Sequence, residues 1–365
     1  MLRARDLQDR TLVDFSSIRN GEDIRRVLEH LAAHRQDVVR HLMKEAERRF
    51  GRNVETAVHV LAALPAGGMV GVTMDGNGIP IDLDILEDGA SDADLLEGIG
   101  RTADLHGLKR LTVISDCAFE NPACLQASGF GFAVSAKICD DGLAKRMPAP
   151  GGWPRLYLED EEDEEDVFRF GLIEPDEAGP QGLAMIATRS TGRALEDLHE
   201  LEFSKHGLDA DGFLFRRLWA GVRVIRTNLT NESPERIVRL VESLSGMVEP
   251  FRLEKSASDP VPTGDALKGC IVSAWISLVM EKVVMRVLKE TKEMDLTAHQ
   301  LRQVLREAEV ALEDVNPQVP FFLRLHEGPV FDEMLAAFGL KLLCRLEEKA
   351  SLRRKLRLKT FPPMA

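Results

Sequence analysis

Two apolar runs, Met69-Val-Gly-Val-Thr-Met-Asp75 and Ile79-Pro-Ile-Asp-Leu-Asp-Ile-Leu86, are separated by Gly76-Asn-Gly78. Runs of this length around a Gly-Asn-Gly turn spell two antiparallel strands joined by a tight hairpin. In the second run Asp82 and Asp84 alternate with Ile81, Leu83 and Ile85, so one face is expected wet and the other buried. Upstream, Val54–Leu64 is a candidate first strand, although its alanines leave the period ambiguous. Downstream, Ser91-Asp-Ala-Asp94 opens a helix that runs to about Leu105, with Asp92 and Asp94 at the positive end of its dipole. Leu111–Ser115 is a continuous apolar strand ending in Asp116, followed by a short helix over Pro122–Ala127 and a strand over Gly129–Lys137.

Outward from this block the pattern changes twice. Before it, Val27, Leu28, Leu31, Val38, Val39, Leu42 and Met43 recur at three- and four-residue steps among Arg and Lys, which reads as helix through residue 50. After it, Pro148-Ala-Pro-Gly-Gly-Trp-Pro154 is a loop and Glu159–Asp166 is a run of eight acids, read as a solvated segment. Strands are expected over Phe168–Ile173, Leu183–Ala187 and Arg223–Thr227, and helices over Thr188–Phe203, Pro234–Leu244, Ala266–Lys289 and Thr297–Leu312. Phe321–Leu325 reads as a strand, Val330–Phe338 as a helix, and Leu352–Lys359 holds five bases in eight residues.

The chain of 365 residues carries a formal charge of −13. Thirteen acids against four bases fall between Asp140 and Glu177, so that segment holds −9 of the total and the rest only −4. The global charge therefore does not exclude a nucleic-acid partner, although phosphate binding draws on Lys and Arg. Cys117, Cys124, Cys139, Cys270 and Cys344 form no Cys-x-x-Cys pair, which points to a reducing cytoplasm and away from a zinc ribbon or disulfide framework. Glu281, Lys282 and Arg286 interrupt the longest apolar stretch, Cys270–Val287, so no membrane partner is expected. Met1–Arg10 is charged and lacks the apolar core of a secretory signal. No nucleotide-binding glycine loop is present: Val134 stands where a third glycine would follow Gly129-Phe-Gly131, and Gly98-x-Gly100 reads as a helix ending. His30 and His34 share a helix face without an acid, so they are expected on a solvated or partner-facing surface.

Three strands, helix, strand, helix, strand is the element order of a ribonuclease H-like domain, an order that other α/β folds share in part. Five stretches, in order, resemble the Asp-Asp-Glu transposases of bacterial insertion sequences, in the insertion-sequence-four-like group that carries a β-rich insertion. They are Asp75-Gly-Asn-Gly-Ile-Pro-Ile81 with Asp88-Gly-Ala-Ser-Asp92; Leu111-Thr-Val-Ile-Ser-Asp116 with Gly129-Phe-Gly-Phe-Ala-Val-Ser-Ala-Lys137; Leu183-Ala-Met-Ile-Ala-Thr-Arg-Ser-Thr-Gly-Arg-Ala194; Asp211-Gly-Phe-Leu-Phe215 with Val224-Ile-Arg-Thr-Asn-Leu229; and Glu235-Arg-Ile-Val238 running to Phe251-Arg-Leu-Glu-Lys-Ser256. The resemblance implies an α/β fold with a ribonuclease H-like core, a β-rich insertion, and helical N- and C-terminal parts. The expected divisions are a helical region 1–50, the first part of the core 51–139, an insertion with the acidic loop 140–222, the second part of the core with the Glu helix 223–295, and a helical region with a basic tail 296–365.

Such transposases cut and join DNA with two Mg or Mn ions held by three acids from separate elements. By resemblance Asp116 occupies the second acid position and Glu249 the third, and both are the expected metal and catalytic remnants. Glu242, seven residues before Glu249, would share its helix face. At the position of the family's Tyr stands this Glu242, and Gly246 and Pro250 flank Glu249, residues that loosen or interrupt a helix. The first acid is missing. The ungapped match over Phe50–Leu64 places Val60 there, and valine has no lone pair for a metal. Neighbouring His59 should face away from Val60, and Glu55, five residues off, should do so too. The chain is therefore expected to be a degenerate transposase-family protein that binds no metal productively, with Arg252, Lys255, Arg353, Arg354 and Lys355 as DNA-contact candidates and a homo-oligomer as a possible assembly. Two alternatives stand beside this: a non-enzymatic interaction or oligomerisation protein whose acidic block engages basic partners, and an active metal-dependent nuclease with an unusual first ligand.

Overall fold

The computed structural model describes residues 21–64, 67–115, 119, 123–137, 146–147, 152–156, 167–173, 183–203, 210–251, 263–307, 310–313, 321–324, 328–340, 346–348 and 351. The chain divides into two compact units, Arg52–Leu253 and Met1–Gly51 with Glu254–Ala365.

In the first unit the strands are β1 (Ala57–Ala63), β2 (Met69–Asp75), β3 (Pro80–Leu86), β4 (Leu111–Ser115), β5 (Gly131–Lys137), β6 (Arg169–Ile173), β7 (Ala184–Arg189) and β8 (Val222–Thr227). They form one eight-stranded sheet in the order β3-β2-β1-β4-β5-β8-β7-β6. Strand β2 is antiparallel to β1 and β3, whereas β1, β4 and β5 are mutually parallel. Strands β8, β7 and β6 then continue the sheet antiparallel. The α/β class expected from the sequence is therefore present, with a mixed sheet. The hairpin β2–β3 is set by Asp75: its carboxylate accepts the backbone N–H groups of Asn53 (3.2 Å), Asn77 (2.9 Å) and Ile79 (3.0 Å).

Helix α3 (Asp92–His106) opens on a capping box, in which Ser91 Oγ accepts the Asp94 N–H and the Asp94 carboxylate accepts the Ser91 N–H. It lays Leu95 and Ile99 against Ala57, Leu61, Leu111, Val113, Phe132 and Val134, with Leu125 of α4 (Ala123–Ser128) in the same core. Gly98 and Gly100, read from the sequence as a helix ending, lie inside α3. Helix α5 (Thr191–Phe203) starts three residues later than expected because Thr188 and Arg189 complete β7. Helix α6 (Ala210–Leu218), not anticipated, is followed by Trp219; Phe215 and Trp219 pack on Trp153, Ile173, Ala187, Val222 and Val224. Helix α7 (Pro234–Val248) crosses β1, β4, β5, β7 and β6.

Within the expected insertion 140–222, the described strands β6 and β7 are hydrogen-bonded into the same sheet as β1 and share its compact unit. The outer edge of β6 is covered by 154–156, through an Arg155–Arg169 bridge and the bonds Leu156 N–H to Phe168 O and Phe170 N–H to Pro154 O. The acidic run 159–166 lies outside the described residues.

The second unit contains α1 (Gly21–Ala33), α2 (Arg35–Phe50), α8 (Gly264–Lys292), α9 (Ala298–Glu307) and α10 (Pro329–Ala337). Helices α1 and α8 meet at Gly269, where an added Cβ would lie 2.0 Å from the Leu28 carbonyl oxygen. Leu288, Leu301 and Met334 join α8, α9 and α10. The helix expected over Thr297–Leu312 ends at Glu307, because Val310–Glu313 pairs as β9 with β10 (Phe321–Arg324), which pairs in turn with β11 (Leu346–Glu348). The C-terminal region is thus helical with a small antiparallel sheet.

Candidate functional site

Val60 sits in the middle of β1 and is 4% exposed. Its lateral partners are Val72 on β2 and Ile114 on β4, and Ile114 pairs onward with Ala133 on β5. Paired residues point to the same side of a sheet, so Val60, Val72, Ile114 and Ala133 form one apolar row, each at most 4% exposed. Following the register through β5, β8 and β7, this face also carries Ile225, Ile186 and Thr188. It is the face crossed by α7, whose Ile237 and Val238 are buried. A carboxylate at position 60 would meet hydrocarbon on both flanks.

The expected third acid falls where α7 stops. The α-helix ends at Val248, and Glu249-Pro-Phe251 is a turn of 3-10 helix. The physical cause is Pro250, which disfavours α geometry at the residue before it. Glu242 is fixed otherwise: its carboxylate accepts from Arg193 Nη1 of α5 at 3.2 Å, with side-chain exposures of 17% and 22%. Arg193 also reaches Thr188 Oγ1 at 3.4 Å and lies over the Phe168 ring at 5.1 Å. This set ties α5 to α7 across β7. Asp116 and the side chain of Glu249 lie outside the described residues, as do Arg252, Lys255, Arg353, Arg354 and Lys355. Glu55, the other acid near strand β1, pairs with Lys109 at the surface. His30 and His34 are both exposed, their ring centroids 4.1 Å apart, with no acid recorded on either. Among the described residues no three His, Cys, Asp or Glu side chains converge to hold a metal ion, and the described residues level with position 60 on β2, β4 and β5 are apolar.

On the opposite side of the sheet the structure holds a polar cluster that the sequence reading missed. His59 and Thr73 are level on β1 and β2, with Nδ1 and Oγ1 2.7 Å apart, and both are essentially fully buried. Burial pushes the His59 imidazole down to about 4, against a smaller opposing pull from Asp82. The β3 face bearing Asp82 and Asp84, expected wet, is covered by α3. Thr102 Oγ1 donates to Asp84 (3.2 Å) and lies 3.4 Å from Asp82, and His106 Nε2 is 3.1 Å from Asp82. Burial acts to raise the Asp82 carboxyl, but the His106 contact, the Leu83 N–H and the two nearby imidazoles outweigh it and hold it below the usual range. The available signal was joint: acids two apart on a strand, then Thr102 and His106 four apart on the next helix.

No protein-family model, no curated protein and no solved structure matches this chain. Among the described residues no helix is long and apolar enough to cross a membrane.

Proposed function

We propose that this chain is a transposase-family protein of the Asp-Asp-Glu type, on a ribonuclease H-like sheet, that neither cuts nor joins DNA. The family reading draws support from the five sequence stretches and from the strand order β3-β2-β1-β4-β5 with β2 alone antiparallel among those five. The observation that carries the loss of chemistry is Val60, buried in an apolar row where a metal-bridging acid is required. Without that acid, two divalent ions close together repel one another uncompensated, so Mg or Mn is not held productively. The Glu242–Arg193 pair adds to this, since it commits a helix α7 carboxylate to an internal cation.

A second reading, an interaction protein using the same fold, is favoured by the distribution of charge. Residues 52–253 hold 35 acids and 19 bases, a net of −16, whereas residues 1–51 with 254–365 hold 25 acids and 28 bases, a net of +3. The charge of the sheet unit, −9 of it from residues 140–177, disfavours phosphate there, and of the DNA-contact candidates only Arg252 falls in it, with Lys255, Arg353, Arg354 and Lys355 in the other unit. The readings separate by DNA binding of the full chain under a salt titration. DNA binding predicts an affinity that falls steeply with salt, with a slope that shallows by roughly one for each phosphate-contacting base removed from Arg353, Arg354 and Lys355. No binding at about 50 mM salt favours the interaction protein.

A further inference from the structure

We propose that His30 and His34 chelate one late first-row divalent cation, such as Zn or Ni, through one ring nitrogen each. Residues four apart on a helix stand one turn above the other on the same face, so this spacing presents two imidazoles together. His34 falls between α1 and α2, yet the helical bonding runs through it. Its N–H donates to the His30 carbonyl at 3.1 Å, and its own carbonyl accepts from Asp37 and Val38 at 3.0 Å each. Both rings are exposed, and their centroids are 4.1 Å apart. Two nitrogens on one tetrahedral ion lie roughly 3.4 Å apart when each Zn–N distance is about 2.0–2.1 Å. Rings already this close reach that geometry by side-chain rotation alone.

The His34 ring is also oriented for a metal. Its Nδ1 lies 2.9 Å from the His30 carbonyl oxygen, an atom that only accepts, so Nδ1 carries the hydrogen. The lone pair of the neutral ring is then on Nε2. A metal-bound histidine ordinarily has this arrangement, with the other ring N–H on a carbonyl or carboxylate that fixes tautomer and orientation. Helix α1 is itself anchored, because Leu28, two residues before His30, abuts Gly269 of α8. Neighbouring acids are engaged by arginines, Glu22 and Glu29 by Arg25 and Asp37 by Arg40. The described residues bring no third protein ligand, so water completes the coordination. Imidazole donors suit Zn or Ni, whereas Mg prefers oxygen. The chelate is therefore independent of the transposase reading, which concerns Mg or Mn in the sheet unit.

The test is isothermal titration of the full, untagged chain with Zn chloride and with Ni chloride, with Mg chloride as the contrast. One Zn or Ni ion should bind per chain, and excess Mg should not displace it. His30→Gln and His34→Gln should each weaken binding by about a hundredfold, since the second imidazole acts intramolecularly once the first has bound. His41 is exposed on α2 and lies roughly 10 Å further along the helix axis than His34. His41→Gln should therefore leave the affinity unchanged. All three positions are exposed, so the variants keep the fold, and far-UV circular dichroism checks this. Equal affinity in wild type, His30→Gln and His34→Gln overturns the proposal, because any bound ion then sits elsewhere on the chain. Weakening in only one of the two overturns the chelate, and so does the absence of binding at millimolar Zn and Ni.

Discussion

Val60→Asp places a carboxyl where the proposed transposase reading puts the first metal-bridging acid, and the surroundings of position 60 set what it does to the protein. Position 60 is 4% exposed, with Val72 and Ile114 on either side and α7 across the same face. A carboxyl fully buried in such a place has its pKa raised by ~3–5 units over the ordinary 3.9, which costs about 4–7 kcal/mol wherever it is forced to ionise. The folded value lies above the unfolded one, so the penalty is small below pH 4 and grows as pH rises to the folded pKa. Between pH 5 and pH 8 the stability gap between wild type and Val60→Asp should widen by up to ~4 kcal/mol, about 1.4 kcal/mol per unit. The acid sensitivity conferred by His59 is common to both proteins and subtracts out. The assay is urea unfolding at the two pH values, with and without Mg or Mn, with Val60→Thr as an uncharged control of similar shape. A gap independent of pH, or one closed by either metal, would show that a carboxylate at 60 meets a cation and would refute the apolar reading of the site.

Two further outcomes follow from the packing. Gly269→Ala should lower the thermal stability of the helical unit by about 3 kcal/mol or more, since its Cβ would fall 2.0 Å from backbone oxygen of Leu28 rather than against a movable side chain; an unchanged Tm would mean the α1–α8 crossing relaxes freely. The Arg193–Glu242 pair should show a coupling of about 1–3 kcal/mol in a double-mutant cycle with Arg193→Met and Glu242→Gln, because both side chains are mostly buried; a coupling near zero would remove the pair as the tie between α5 and α7.

The hairpin Met69–Leu86 was legible because a sharp turn separates two apolar runs, and β4 because Leu111–Ser115 is uninterrupted. Strand β1 was harder to read: alanine fits helix and strand alike, and its pairing with β2 and β4 decides the matter. The face of Asp82 and Asp84 was misread as wet because its partners, Thr102 and His106, come from a helix 20 and 24 residues away. Alternation shows which residues share a face and says nothing about what covers it. The same limit hid the Glu242–Arg193 pair, 49 residues apart. Thr297–Leu312 spells one helix because apolar spacing continues through Leu312, yet cross-strand pairing with β10 claims its last residues. At Glu249 the reading was better, since Pro250 carries its effect on helix geometry locally.

Plasmid nicking decides whether the proposed transposase-family site retains its chemistry. Supercoiled plasmid is incubated with wild type, Val60→Asp and Asp116→Ala, each with Mg and with Mn. No nicked or joined product is expected from any of the three, because a single added carboxylate lacks the shell that would hold it in productive geometry. Metal-dependent nicking by the wild type that disappears in Asp116→Ala would contradict that expectation and establish an active nuclease with a different first ligand.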